Sequence, residues 1–122
     1  MDKKKVLIID DDMTFLESIE LVLISRQFDI VKASTGEFLF EILTIEKPDL
    51  ILLDINLPNK NGFELLESIR ANSEFKRLPV IMITGDVTTH IDKAFSEGAD
   101  DCIFKPVDID ELINRMNKLL VK

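Results

Sequence analysis

Short apolar runs alternate along this chain with segments of helical period. The runs "VLII" (6–9), "LILL" (50–53) and "VIMI" (80–83) are wholly apolar, the pattern of parallel strands covered on both faces. "DIVKA" (29–33) and "CIF" (102–104) are more polar or shorter, which assigns them to the edges of the sheet. Between them, segments 13–26, 36–46, 63–72 and 88–97 predict helices. The last helix is the clearest: Ile109, Leu112, Ile113, Met116, Leu119 and Leu120 recur at the 3.6-residue period behind Asp108 as N-cap. Gly98 reads as the residue closing the fourth helix, with Ile91, Ala94 and Phe95 on its buried stripe. Five strand–helix units predict a doubly wound, five-stranded parallel α/β sandwich with right-handed crossovers and strand order 2-1-3-4-5.

This pattern makes four polar residues conspicuous. "VLII" ends in Asp10, Asp11 and Asp12, "LILL" in Asp54, "VIMI" in Thr84 and "CIF" in Lys105. The C-terminal ends of parallel strands share one edge, and ligands of such sheets bind there, where the strand order reverses. The second strand ends "KAST" and offers no such residue, as suits an outer position. Each residue alone has an ordinary reading: Asp12 fits an N-cap for the helix starting at Met13, Thr84 fits a cap, and Lys105 fits a solvated cation. Together they do not. Clustered acids repel by an amount on the order of 1 kcal/mol or more per close pair, and a hard cation relieves that. Oxygen ligands with waters completing the shell suit Mg²⁺ better than Ca²⁺ or zinc. Carboxylates, metal, hydroxyl and ammonium around one cavity make a site for a phosphoryl group.

Length and composition narrow the class. The 122 residues suffice for one domain and one core, and 46% of them are apolar. No apolar run approaches a membrane span, and "MDKKK" leads straight into a strand without a signal-peptide core. A single cysteine, Cys102, allows no internal disulfide and fits a reducing cytoplasm. A net charge of −8 argues against direct binding to nucleic acid or anionic lipid.

The motifs "DDD" after the first strand, "DINLPNKNG" (54–62), "TG" at Thr84 and "KP" at Lys105–Pro106 resemble, in order and spacing, the receiver domain of two-component response regulators over essentially residues 1–122. The resemblance implies a flavodoxin-like fold. It implies that Asp54 accepts a phosphoryl group from a sensor histidine kinase or histidine phosphotransfer protein, and that the domain then switches an output partner. It further implies Mg²⁺ held by Asp10, Asp11, Asp54 and the backbone carbonyl of Asn56, with Thr84 and Lys105 on the phosphoryl oxygens and a cis Lys105–Pro106 bond. Asn56 and Asp86 would flank the path of the hydrolytic water. Such a domain catalyses only its own phosphorylation and dephosphorylation. In the loop itself, Pro58 fixes φ, Gly62 is expected to supply left-handed geometry before the third helix, and Leu57 is expected to pack inward and aim Asn56 at the metal.

Two positions depart from the family pattern. Cys102 stands where an aromatic usually reports phosphorylation, and reads as a small buried hydrophobe. Gly85 replaces a frequent alanine. His90 reads as surface; Met13, Met82 and Met116 as core or flank; Phe38 and Phe40 as packing. Three rival readings compete. An aspartyl phosphohydrolase of haloacid dehalogenase type would need a second acid where Asn56 stands. A pseudo-receiver that is never phosphorylated is opposed by the intact Asp10, Asp11, Asp54, Thr84 and Lys105 set. A flavin-binding domain would need a hydroxyl-rich loop after the first strand. The bounds of the chain fit a single-domain regulator and an excised module equally.

Overall fold

The computed structural model describes residues 3–85 and 91–121. Its order is β1 (Lys5–Ile9), α1 (Met13–Ser25), β2 (Asp29–Ala33), α2 (Leu39–Glu46), β3 (Leu50–Asp54), α3 (Gly62–Ala71), β4 (Val80–Thr84), α4 (Ile91–Ser96), β5 (Asp101–Phe104) and α5 (Ile109–Leu120). All neighbouring strands pair in parallel, in the order β2-β1-β3-β4-β5. This is the doubly wound, flavodoxin-like architecture that the strand pattern predicts, with the two polar strands outermost.

The continuous apolar strands follow from two-sided coverage. In β1, Leu7 and Ile9 enter the core that includes Leu43 of α2, Leu66 and Ile69 of α3 and Ala94 of α4. Val6 and Ile8 point the other way, into the core shared with Leu16, Ile19 and Leu23 of α1 and Leu112 and Met116 of α5. Strands β3 and β4 split likewise: Ile51, Leu53 and Met82 go to one side, Leu52, Ile81 and Ile83 to the other. A period of two distributes each strand between both layers, so both residue sets must be apolar.

Local signals set the helix ends. The Asp12 carboxylate accepts the Phe15 N–H at 3.1 Å, and Asp108 accepts that of Glu111 at 3.1 Å. Asn61 and Glu64 form a reciprocal capping box at the start of α3. Gly98 sits at φ +106°, as a helix-closing glycine can.

Several expectations need correction. Helix α2 starts at Leu39, three residues later than the pattern suggests, because residues 34–38 form bends and turns, with the Thr35 hydroxyl accepting the Glu37 N–H. Gly62 has no positive φ; glycine is required there because an added Cβ would stand 2.4 Å from the Asp54 carbonyl oxygen. Of the stripe assigned to α4 only Ala94 is buried, while Ile91 and Phe95 are exposed. Phe40 packs against the Phe75 ring, but Phe38 is more than half exposed. Met82 and Met116 are core and Met13 is an exposed flank. The expected start of the fourth helix at 88–90, with Asp86 and His90, lies outside the described residues.

Candidate functional site

The polar side chains that folding buries are concentrated at one place. Among the described residues, Asp10, Asp54 and Thr84 are the buried polar or charged ones, at 1%, 5% and 1% exposure. They stand at the C-terminal tips of β1, β3 and β4, adjacent strands in the sheet. Burial of this kind is costly unless something compensates it, so its concentration on one edge marks a site.

Backbone pairing fixes the frame. The Asp10 N–H donates to the Ala33 carbonyl at 3.0 Å, extending the β1–β2 ladder by one residue. Asp54 lies opposite Ile83 in the β3–β4 register, and the Lys105 N–H donates to the Thr84 carbonyl at 2.8 Å. Side chains then interlock. Asp10 Oδ1 accepts the Asp12 N–H at 2.9 Å, and Asp54 Oδ1 accepts the Asn56 N–H at 3.2 Å. One carboxylate oxygen each from Asp10, Asp11 and Asp54 lies within 4.8 Å of the others; Asp11 is exposed and the other two are buried.

Lys105 projects into this cluster from the loop after β5, ahead of the cis bond to Pro106. Its Nζ stands 2.7 Å from Asp10 Oδ2. That oxygen makes no directed hydrogen bond. It is ion-paired yet short of partners, a buried acceptor with a lone pair to give. Burial, with the Asp10 carboxylate next, pushes the Asp54 carboxyl up to about 6, against the pull of the Asn56 N–H and the Lys105 ammonium. An all-oxygen donor set with excess negative charge and an under-coordinated buried oxygen fits a hard divalent cation.

The structure therefore brings together Asp10, Asp11, Asp54 and Lys105, and sets Thr84 at the adjoining strand tip. Asn56 is exposed, with its N–H on Asp54; Leu57 is buried beneath it, as expected. Sequence reasoning missed Phe15. Its ring lies beneath Lys105 Nζ, 4.4 Å from the centroid. The available signal was its spacing, three residues after the N-cap Asp12, which places it in the first turn of α1 beside the strand tips.

Away from the acids, Cys102 is buried and lines a cavity of about 370 Å³ with Ile91, Phe95, Phe104 and Arg115. Burial, and then the neighbouring Asp101 carboxylate, pushes its thiol upward, opposite to what a reactive cysteine needs.

Comparison with known proteins agrees with this geometry. A family model described as the response regulator receiver domain matches residues 6–117. RcaC of Microchaete diplosiphon is 36% identical over 118 residues, covering 95% of this chain and 18% of RcaC. The cell cycle transcriptional regulator CtrA of Caulobacter vibrioides is 34% identical over 116 residues, covering 95% of this chain and 50% of CtrA. The chain thus spans half or less of the length of these curated relatives. Among solved structures, the BeF₃-activated N-terminal receiver domain of RstA from Klebsiella pneumoniae superposes with a TM-score of 0.88 at 29% identity, covering 98% of this chain and all of that one. No helix among the described residues is long and apolar enough to cross a membrane.

Proposed function

Because the chain belongs to the receiver-domain family of bacterial two-component response regulators, we propose that it is a phosphoacceptor switch in which Asp54 takes a phosphoryl group from a histidine kinase or a histidine phosphotransfer protein. The observation that carries this reading is the buried acid at the tip of the central strand, within 4.8 Å of two further carboxylates and on the edge that Lys105 faces. No structural economy accounts for a fold that buries Asp10 and Asp54 together.

In the reaction, an Asp54 carboxylate oxygen attacks phosphorus while the bond from phosphorus to the donor histidine nitrogen breaks. The electron pair leaves with the imidazole, and the aspartyl phosphate remains. Asp54 must be ionised to attack, and its carboxyl is held near 6, so a cation among Asp10, Asp11 and Asp54 favours the reactive form. Mg²⁺ bound by those three and the Asn56 carbonyl would supply charge neutralisation for the phosphoryl oxygens. Asp10 already binds the Lys105 ammonium, so Lys105 would transfer its charge from Asp10 Oδ2 to a phosphoryl oxygen as the acceptor is filled. Thr84 would donate its hydroxyl to another. The domain is a signalling element whose chemistry is confined to its own Asp54, acting in the cytoplasm on a partner protein or output domain. A net charge of −8 supports readout by protein contact rather than by direct contact of this domain with nucleic acid.

The test is incubation with acetyl phosphate and Mg²⁺, read by intact-protein mass spectrometry. One phosphoryl group is expected on the wild type and none on Asp54→Asn. Equal labelling of both proteins would overturn the assignment of Asp54.

A further inference from the structure

Lysine is a poor tool for a task that needs a fixed charge. Its four-carbon stem is flexible and its ammonium prefers water. Yet Lys105 Nζ occupies one place, between Asp10 Oδ2 at 2.7 Å and the face of the Phe15 ring at 4.4 Å from the centroid. The carboxylate holds the ammonium from the site side. The ring closes the other side, where an aromatic face attracts a cation and a half-buried phenyl excludes water.

The ring's own position is built in. The Phe15 N–H is the donor that the Asp12 N-cap binds at 3.1 Å, so the cap that starts α1 also sets where Phe15 sits. Phe15 and Lys105 together border an apolar groove of about 310 Å³, with Ile19, Val22, Val107 and Ile109. The ring and the lysine stem thus share one apolar surface, with the ammonium over the ring face.

We propose that Phe15 is a positioning residue for phosphoryl transfer, confining the Lys105 ammonium to the acid side of its range. A phosphoryl group arriving at Asp54 then meets the cation already in place, and only a short movement from Asp10 Oδ2 is needed. Without the ring, the stem is free to carry Nζ into solvent, and the fraction of molecules with the charge in place falls. This inference rests on the reading of Asp54 as acceptor.

The test compares Phe15→Tyr, Phe15→Leu and Phe15→Ala for the rate of labelling by acetyl phosphate with saturating Mg²⁺, alongside melting temperature. Leucine keeps an apolar side chain in the gap but has no π-face. The tyrosine variant is expected to label at the wild-type rate, and the leucine and alanine variants about fivefold more slowly. The alanine substitution is also made in a Lys105→Met background, where its effect on rate should vanish because there is no ammonium to hold. A leucine variant as fast as wild type, a tyrosine variant as slow as alanine, or an alanine effect that persists without Lys105 would each overturn the proposal. A melting temperature that falls equally for leucine and tyrosine while only leucine labels slowly would separate the positional role from packing and support it. Failure of the wild type to take label at Asp54 would overturn the acceptor reading itself, and with it this one; label on the wild type with no aromatic preference would overturn this one alone.

Discussion

At the tip of β3, a Cβ added to Gly62 would stand 2.4 Å from the Asp54 carbonyl oxygen and 2.8 Å from the Ile55 Cα. At the tip of β4, one strand over, a Cβ on Gly85 would meet no atom within 4 Å among the described residues. The same contrast runs through the surrounding structure. Around Asp54 the strands are covered on both faces and the loop backbone is bonded down, with the Gly62 N–H on the Ile55 carbonyl at 2.7 Å. Towards β5 the packing thins: Cys102 fronts a cavity of about 370 Å³, and Ile91 and Phe95 of α4 are 40% and 47% exposed. A centre that must hold reacting groups to fractions of an ångström is built tight. A margin that must respond to what happens there has room to repack.

The largest effect expected is the direct test of that contrast. Gly62→Ala should cost about 3 kcal/mol, because the clash is with backbone that cannot step aside. Gly85→Ala should leave stability within about 0.5 kcal/mol, since the added Cβ meets no atom of the described residues within 4 Å. Urea unfolding of the two variants checks both; equal losses would mean that the tight and open ends of the site do not differ as drawn.

Next in size is the effect of ionising Asp54. Its folded pKa of about 6 lies above the 3.8 of an unburied carboxyl, so between those values the native state holds more protons than the unfolded one. Stability contributed by this group is therefore intact below about pH 4 and falls as pH rises to about 6, levelling beyond, by about 2–3 kcal/mol in all. In metal-free buffer, Asp54→Asn should gain on the wild type across that window and hold the gain above it. Parallel stability curves for the two proteins from pH 4 to 7 would show that Asp54 is not held in its neutral form by the fold.

Mg²⁺ should offset part of that penalty. At ten times its dissociation constant, a cation bound only by the native state adds about 1.4 kcal/mol at neutral pH. The gain should be lost when Asp10 and Asp11 are both replaced by Ala. A thermal shift of the same size in that double variant would place the cation elsewhere.

The strand order, the flanking helices and the identities of the clustered acids were legible because each rests on local pattern. Apolar runs specify two-faced strands, and polar residues at their C-terminal tips must share an edge once the strands are parallel. What was not legible depends on distances across the fold. Gly62 was read as a φ requirement, but its reason is the approach of the Asp54 backbone, which no local rule encodes. Nothing in the sequence near Lys105 points to Phe15, 90 positions away, as the ring beneath its ammonium. Ile91 and Phe95 have the spacing of a buried stripe, yet they stay exposed on a groove that they line with Cys102 and Phe104, and spacing alone does not tell which stripe a neighbouring element covers.

The smallest expected effect tests the open margin. Cys102→Phe adds a ring at a position that lines a groove of about 370 Å³. Ile91 and Phe95 line that groove too, so the new ring would bury part of both. Filling a cavity with apolar surface should raise stability by about 1 kcal/mol, with the thiol, already uncharged, losing nothing of electrostatic value. The gain should come with slower amide exchange in 91–96 and 101–104 and no change at residues 50–55, because the centre of the sheet is packed in either variant. That locality separates cavity filling from a general tightening of the fold. If Cys102→Phe instead destabilises the chain, the space beside β5 cannot take a ring, and the margin is as fully determined as the tip of β3.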